Sequence, residues 1–171
     1  MSLFRPTIYA TVMAFLTGCG FQPLYGSAGN INIAAELASV EIAVIEHRMG
    51  QQLRNHLLDH INPSGPPRSP NYTLVVRLRE TKQELAVKKT AFSTRINYVL
   101  TAKYLLKGRQ QNAGVELAET SKIVTGYNIL VSDFATLMAE QDARTRAVRE
   151  LSTAITNRVA VFIQKSPRSH M

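Results

Sequence analysis

TRINYVLTAKYLLK, residues 94–107, alternates without a break: Ile96, Tyr98, Leu100, Ala102, Tyr104 and Leu106 share one parity. Arg95, Asn97, Val99, Thr101, Lys103, Leu105 and Lys107 share the other. A period of two, rich in β-branched and aromatic residues, predicts a strand with one buried and one polar-leaning face. Upstream, Tyr72–Lys82 repeats the pattern, with Tyr72, Leu74, Val76 and Leu78 opposed to Thr73, Arg77 and Arg79. Downstream, KGRQQNAG (Lys107–Gly114) reads as a hairpin turn into a third strand, Val115–Tyr127. That strand has the weakest alternation, because Glu119 and Ser121 fall on the parity of Ile123.

Outward from this core the period changes. Met49, Leu53, Leu57 and Ile61 recur every fourth residue and predict a helix over 49–61. It ends at Asn62-Pro63, where NPSGPPRSPN carries four of the seven prolines and must be loop. Before it, SVEIAVIE (Ser39–Glu46) places Val40, Ile42 and Val44 on one face of an expected first strand. After Ser132-Asp133, a natural N-cap pair, Phe134, Leu137, Met138 and Gln141 open a long amphipathic helix. Val148, Leu151, Ile155, Val159 and Phe162 continue it. The order is β-α-β-β-β-α. A helix between two strands implies a parallel crossover, and the hairpins imply antiparallel pairs. The expected fold is therefore α+β: a two-layer sandwich with two helices on one face of a mixed four-stranded sheet, the other face open.

The N-terminus carries an address. Arg5 precedes an apolar run from Ile8 to Leu16, and Leu16-Thr17-Gly18-Cys19 follows with the only cysteine of the chain. A short charged start, a short apolar stretch and small residues at its end make a secretory signal. A membrane-spanning helix needs about 20 apolar residues, more than Pro6 and Gly18–Gly20 leave room for. Residues 1–18 are expected to be removed, leaving Cys19 as an acylated N-terminus. Residues 19–36 read as a tether, 37–165 as the domain and 166–171 as a polar tail.

Composition narrows the function. The chain has 171 residues, 45% hydrophobic and 19% charged, which suits one globular domain. Its net charge of +8 becomes +7 on processing, since the removed segment carries Arg5 and no acid. A basic surface faces a polyanion. Export argues against nucleic acid and leaves the anionic lipids of the envelope. A single cysteine excludes an internal disulfide. His56 and His60 have the i, i+4 spacing of zinc ligands, but Leu57 stands where a zincin needs Glu. No nucleophile elbow, phosphate loop or Cys–His pair is present, so neither an enzyme nor a metal or other cofactor is expected.

Several stretches together resemble the LPS-assembly lipoprotein family LptE in its alphaproteobacterial form. They are Cys19-Gly20-Phe21-Gln22-Pro23-Leu24-Tyr25, Thr94-Arg95 leading into INYVLTAKYLL, and Tyr127-Asn128. Ser132-x-Phe134-Ala135 and Asp142-Ala143 on the long helix belong to the same set. The resemblance implies an outer-membrane lipoprotein, lipid-anchored on the periplasmic side. It also implies that the chain plugs and helps assemble an LptD-type β-barrel as a heterodimer. Together the two would deliver lipopolysaccharide to the outer leaflet, with basic side chains of the sheet touching the glycolipid. A stand-alone periplasmic lipid-binding or envelope-integrity lipoprotein is the other reading, and it requires no barrel.

The residues that would carry the contact follow from parity. Arg77 and Arg79 on one strand, and Arg95, Lys103 and Lys107 on the next, oppose the aliphatic parity and should leave the open face. Lys88 and Lys89, near the joining hairpin, extend the patch. Like charges on one sheet face repel unless an anion is near, and lipid A phosphates are such anions. Arg77, Arg95 and Lys103 are expected to lead the binding.

Overall fold

A computed structural model describes residues 33–84, 95–109 and 115–165. Among these residues seven elements follow one another: α1 (Ile33–Ala38), β1 (Val40–Ile42), α2 (His47–Ile61), β2 (Tyr72–Glu84), β3 (Arg95–Gly108), β4 (Val115–Asn128) and α3 (Asp133–Lys165). The four strands form one sheet in the order β1-β2-β3-β4. β1 and β2 are parallel and the two hairpins antiparallel, the mixed sheet that the element order demands.

Register turns the sequence alternation into rows across the sheet. Leu74 lies opposite Leu106, which lies opposite Leu117; Leu100 lies opposite Ile123. On that face Tyr72, Leu74, Tyr98, Leu100, Ala102, Tyr104 and Leu106 are buried. α2 supplies Met49, Leu53, Leu57 and Ile61, all buried, as its fourfold spacing predicts. α3 brings two parallel ridges: Ala143, Ala147, Leu151, Ile155, Val159 and Ile163, with Val148, Ser152, Thr156 and Ala160 beside them. Each ridge advances by four, so both stay on one side of the helix. The small residues at Ala143 and Ala147 let the helix axis approach β4, where the Thr125 hydroxyl donates to the Ala143 carbonyl at 3.0 Å.

Three expectations need correction. The first strand does not run to Glu46. Its ladder with β2 has three pairs, and after Ala43 donates to the Leu74 carbonyl the chain leaves the sheet. Val44, expected in the core, is 83% exposed, and Ile45 turns inward instead. Ile45 fits because Gly50 has no side chain: a Cβ there would stand 2.6 Å from Ile45 Cγ2 and 2.9 Å from the Ile45 carbonyl oxygen. Ala is about 1 kcal/mol better than Gly inside a helix. The clash with backbone outweighs that gain, because overpacking costs about 1–3 kcal/mol. Gly50→Ala should therefore lower the thermal midpoint of unfolding, and a rise would show that Ile45 can move aside.

The second correction concerns the tether, expected to reach residue 36. α1 starts at Ile33, and Ile33 and Leu37, one turn apart, are buried. Side chains secure its end: Ser39 Oγ donates to the Glu36 carbonyl at 2.6 Å, and Asn62 Nδ2 to the Ala38 carbonyl at 3.1 Å. The third concerns the apolar stripe of α3. Phe134, Leu137 and Met138 are exposed rather than buried, because burial along this helix begins only at Ala143. At its other end Ile163 is buried, while Phe162 is half-buried.

Candidate functional site

The face of the sheet away from the helices carries the site. Arg77 of β2 lies directly opposite Lys103 of β3, which lies opposite Thr120 of β4. One row further along, Arg79 lies opposite Thr101, and Thr101 opposite Lys122. On the other side Thr73 stands between Lys107 and Glu41 of β1, which Arg109 pairs at 2.5 Å; a bulge between Leu106 and Lys107 shifts the register against β4. Between these cationic rows runs a short apolar one, Val75–Leu105–Ala118. Successive rows on one face are about 7 Å apart, two strand residues. Val75, Leu105 and Ala118, with Arg77, Lys103 and Lys107, line a shallow groove of about 440 Å³.

Glu80 and Glu119 of these strands go the other way. Glu80 meets Arg144 of α3 at 3.5 Å, and nearby Lys82 reaches Glu140 of α3 at 2.8 Å. The Arg158 Nε–H is shared between the two carboxylate oxygens of Glu119, 2.7 Å from each, and Arg158 Nη2 donates to Oε1 as well. The hydrogen bonds from Arg158 hold the Glu119 carboxyl below its usual range, with burial working against them. Burial also opposes the charge on Glu140, yet the bond from Lys82, with Tyr127 and Arg144 beside it, keeps that carboxyl low. These acids are thus neutralised on the helix side. Arg77, Arg79, Lys103, Lys107 and Lys122 are exposed on the open face, with no ion pair or hydrogen bond among the described residues.

Parity correctly puts Arg77, Arg79, Lys103 and Lys107 on one face, and the register makes Arg77 and Lys103 neighbours. Arg95 shares the face but not the cluster. It is eight residues from Lys103 along β3, about 27 Å, and its guanidinium lies over Gly126, where a Cβ would approach Nη2 to 2.8 Å. Lys88, Lys89 and Cys19 fall outside the described residues. Sequence patterning misses Lys122, although it alternates with Thr120 and Val124 on the open face. The reason is β4's mixed inner parity. Glu119 and Ser121 look out of place in sequence, but Arg158 takes the first, and the Tyr104 hydroxyl stands 3.3 Å from Ser121 Oγ. His56 and His60 lie on α2, and among the described residues no three His, Cys, Asp or Glu side chains group as metal ligands.

No protein-family model matches the sequence, and no curated protein does. Solved structures do match. A Caulobacter crescentus CB15 protein described as a candidate lipoprotein superposes with a TM-score of 0.64 at 21% identity, over 80% of this chain and 99% of its own. This chain shares the fold of proteins named as lipoproteins. Rare lipoprotein B from Shewanella oneidensis gives a TM-score of 0.58 at 9% identity, over 74% of this chain and 96% of its own. A minor lipoprotein from Acinetobacter baumannii gives 0.55 at 17%, over 71% and 91%. At such identities the likeness is one of fold.

Proposed function

We propose that this chain is an envelope lipoprotein, anchored through Cys19, whose open sheet face binds the phosphorylated glycolipid of the outer membrane. The observation that carries the reading is the apolar row Val75–Leu105–Ala118 set between cationic rows. A lipid with phosphates on an apolar body meets that pattern: Arg77 can offer a phosphate a bidentate pair of donors, and Lys103 a point charge beside it. The charge balance supports it: Glu80 and Glu119 pair with α3 on the helix side, Glu41 and Glu116 share the open face with Glu41 held by Arg109, and the group Arg77, Lys103 and Lys122 has no ion pair among the described residues. The shared fold of named lipoproteins and the Leu16–Cys19 order support the anchor.

The finer reading is a subunit of the lipopolysaccharide translocon, plugging and assisting assembly of an LptD-type barrel at the outer membrane. Its support is the sequence resemblance, and its test is co-purification from detergent-solubilised outer membrane. A β-barrel partner retained in stoichiometric amount is the expected result. A chain that purifies alone, still binding glycolipid, would make it a stand-alone envelope lipoprotein. The anchor has its own check. Mass spectrometry of the mature N-terminus should show Cys19 acylated, and Cys19→Ala should lose that mass. An unmodified thiol on the wild-type N-terminus would remove the anchor from the reading.

A further inference from the structure

Eight large apolar side chains stand exposed among the described residues, and six of them fall within ten consecutive positions: Ile129, Leu130, Val131, Phe134, Leu137 and Met138. Scattered exposed apolar residues are ordinary, whereas a contiguous group marks a contact with something apolar. Here they form a ridge from the end of β4 into the first two turns of α3. Val131 at its crest is 109% exposed, as open to water as a residue standing alone, and Phe134 is 71% exposed. We infer that this ridge inserts into the bilayer, as a second attachment beside the lipid anchor.

The backbone of the ridge is prepared for an apolar medium. A loop entering lipid must satisfy its own polar groups, because hydrocarbon offers no partners. Thr136 does this for the residues on either side of the crest: its Oγ1 accepts from the Leu130 N–H at 2.9 Å and lies 3.2 Å from the Leu130 carbonyl and 3.1 Å from the Ser132 carbonyl. Ser132 caps the helix, its carbonyl accepting from Thr136 N–H at 3.0 Å and its hydroxyl from Ala135 N–H at 3.4 Å. Asp133, the only charged residue within 129–138, stands in the first turn of α3, where the helix dipole favours a carboxylate. The ridge therefore attracts hydrocarbon rather than phosphate, unlike the basic face.

The number of residues between anchor and domain is compatible with this insertion. Cys19 precedes Ile33 by fourteen residues, which span no more than about 50 Å when extended. That reach depends on the anchor reading; the ridge's own chemistry does not. An anchor at Cys19 keeps the domain at the membrane, so an apolar ridge gains its contact with the bilayer at high effective concentration.

The chain contains no Trp, so one can be introduced as a reporter. The full-length, lipidated protein carrying Val131→Trp is reconstituted into phosphatidylcholine vesicles, with and without brominated acyl chains, at low and high salt. Blue-shifted emission, quenched at least twofold by the brominated lipid and insensitive to salt, is expected. Phe134→Trp should behave alike, while Ser69→Trp, exposed just before β2 at the end of the sheet opposite to Asn128, should emit as in water. Water-like, unquenched emission from both ridge reporters on anchored protein overturns the inference. So does a blue shift without vesicles that grows with protein concentration, which would give the ridge to a second copy of the chain. If Cys19 proves unacylated, the same reporters are read with unlipidated protein and excess vesicles: quenching then upholds the ridge without the anchor, and its absence overturns it.

Discussion

Reversing Arg77, Lys103 and Lys122 together to Glu is expected to weaken binding of the mature protein to lipopolysaccharide by more than a hundredfold. Each Lys or Arg close to an anionic lipid surface contributes about 1 kcal/mol, so removing three costs about 3 kcal/mol. At about 1.4 kcal/mol per decade that is already about two orders of magnitude, before repulsion from the new carboxylates is counted. All three side chains are exposed and bonded to nothing among the described residues, so the fold should tolerate the change. Wild-type affinity should fall with salt and the variant's should be nearly flat. Arg95→Glu is the internal comparison. Lying about 27 Å along the strand, it should shift affinity by no more than the roughly fivefold that one exposed charge is worth. Undiminished affinity in the triple variant would strip the face of its role.

Ile155→Ala should be the most damaging single truncation on α3. Ile155 is fully buried in the middle of the ridge running from Ala143 to Ile163. Deleting such a side chain costs roughly 2–5 kcal/mol, transfer and cavity together. For a domain of this size that corresponds to unfolding about 10 °C earlier. Leu137→Ala, the same chemistry on an exposed part of the helix, should stay within about 0.5 kcal/mol of wild type. Equal losses at the two positions would mean that the ridge before Ala143 is buried by something in the isolated protein.

Much of this architecture is legible from periodicity because one face of each element is almost purely apolar. β2 and β3 obey the two-residue rule through most of their paired length, and α2 obeys the fourfold rule at all of its buried large positions. Where periodicity misleads, the reason is tertiary. SVEIAVIE alternates through Val44, but a strand lasts only as long as its ladder, and that ladder stops at three pairs. Ser152 and Thr156 are buried on α3 although polar, so no apolar stripe includes them; Ser152 Oγ satisfies itself on the Arg149 carbonyl at 2.7 Å. In β4 the inner parity is polar because α3 supplies partners from across the sandwich, which no local pattern can announce. For the site, parity assigns each cation its face but not its distance from the others. Register alone puts Lys103 beside Arg77, leaves Arg95 far away and draws in Lys122.

The uneven burial along α3 also divides the helix in time. A stretch opens at a free energy set by its own packing, so residues 143–163 should unwind only with the whole domain. The first turns, with no buried residue before Ala143, belong to a separate and weaker cooperative unit. Ahead of Glu140, whose ion pair with Lys82 ties the helix back to β2, they should open more readily than the two ridges locked on the sheet. One unbroken helix of 33 residues thus gives the protein both a rigid spar and an adjustable tip.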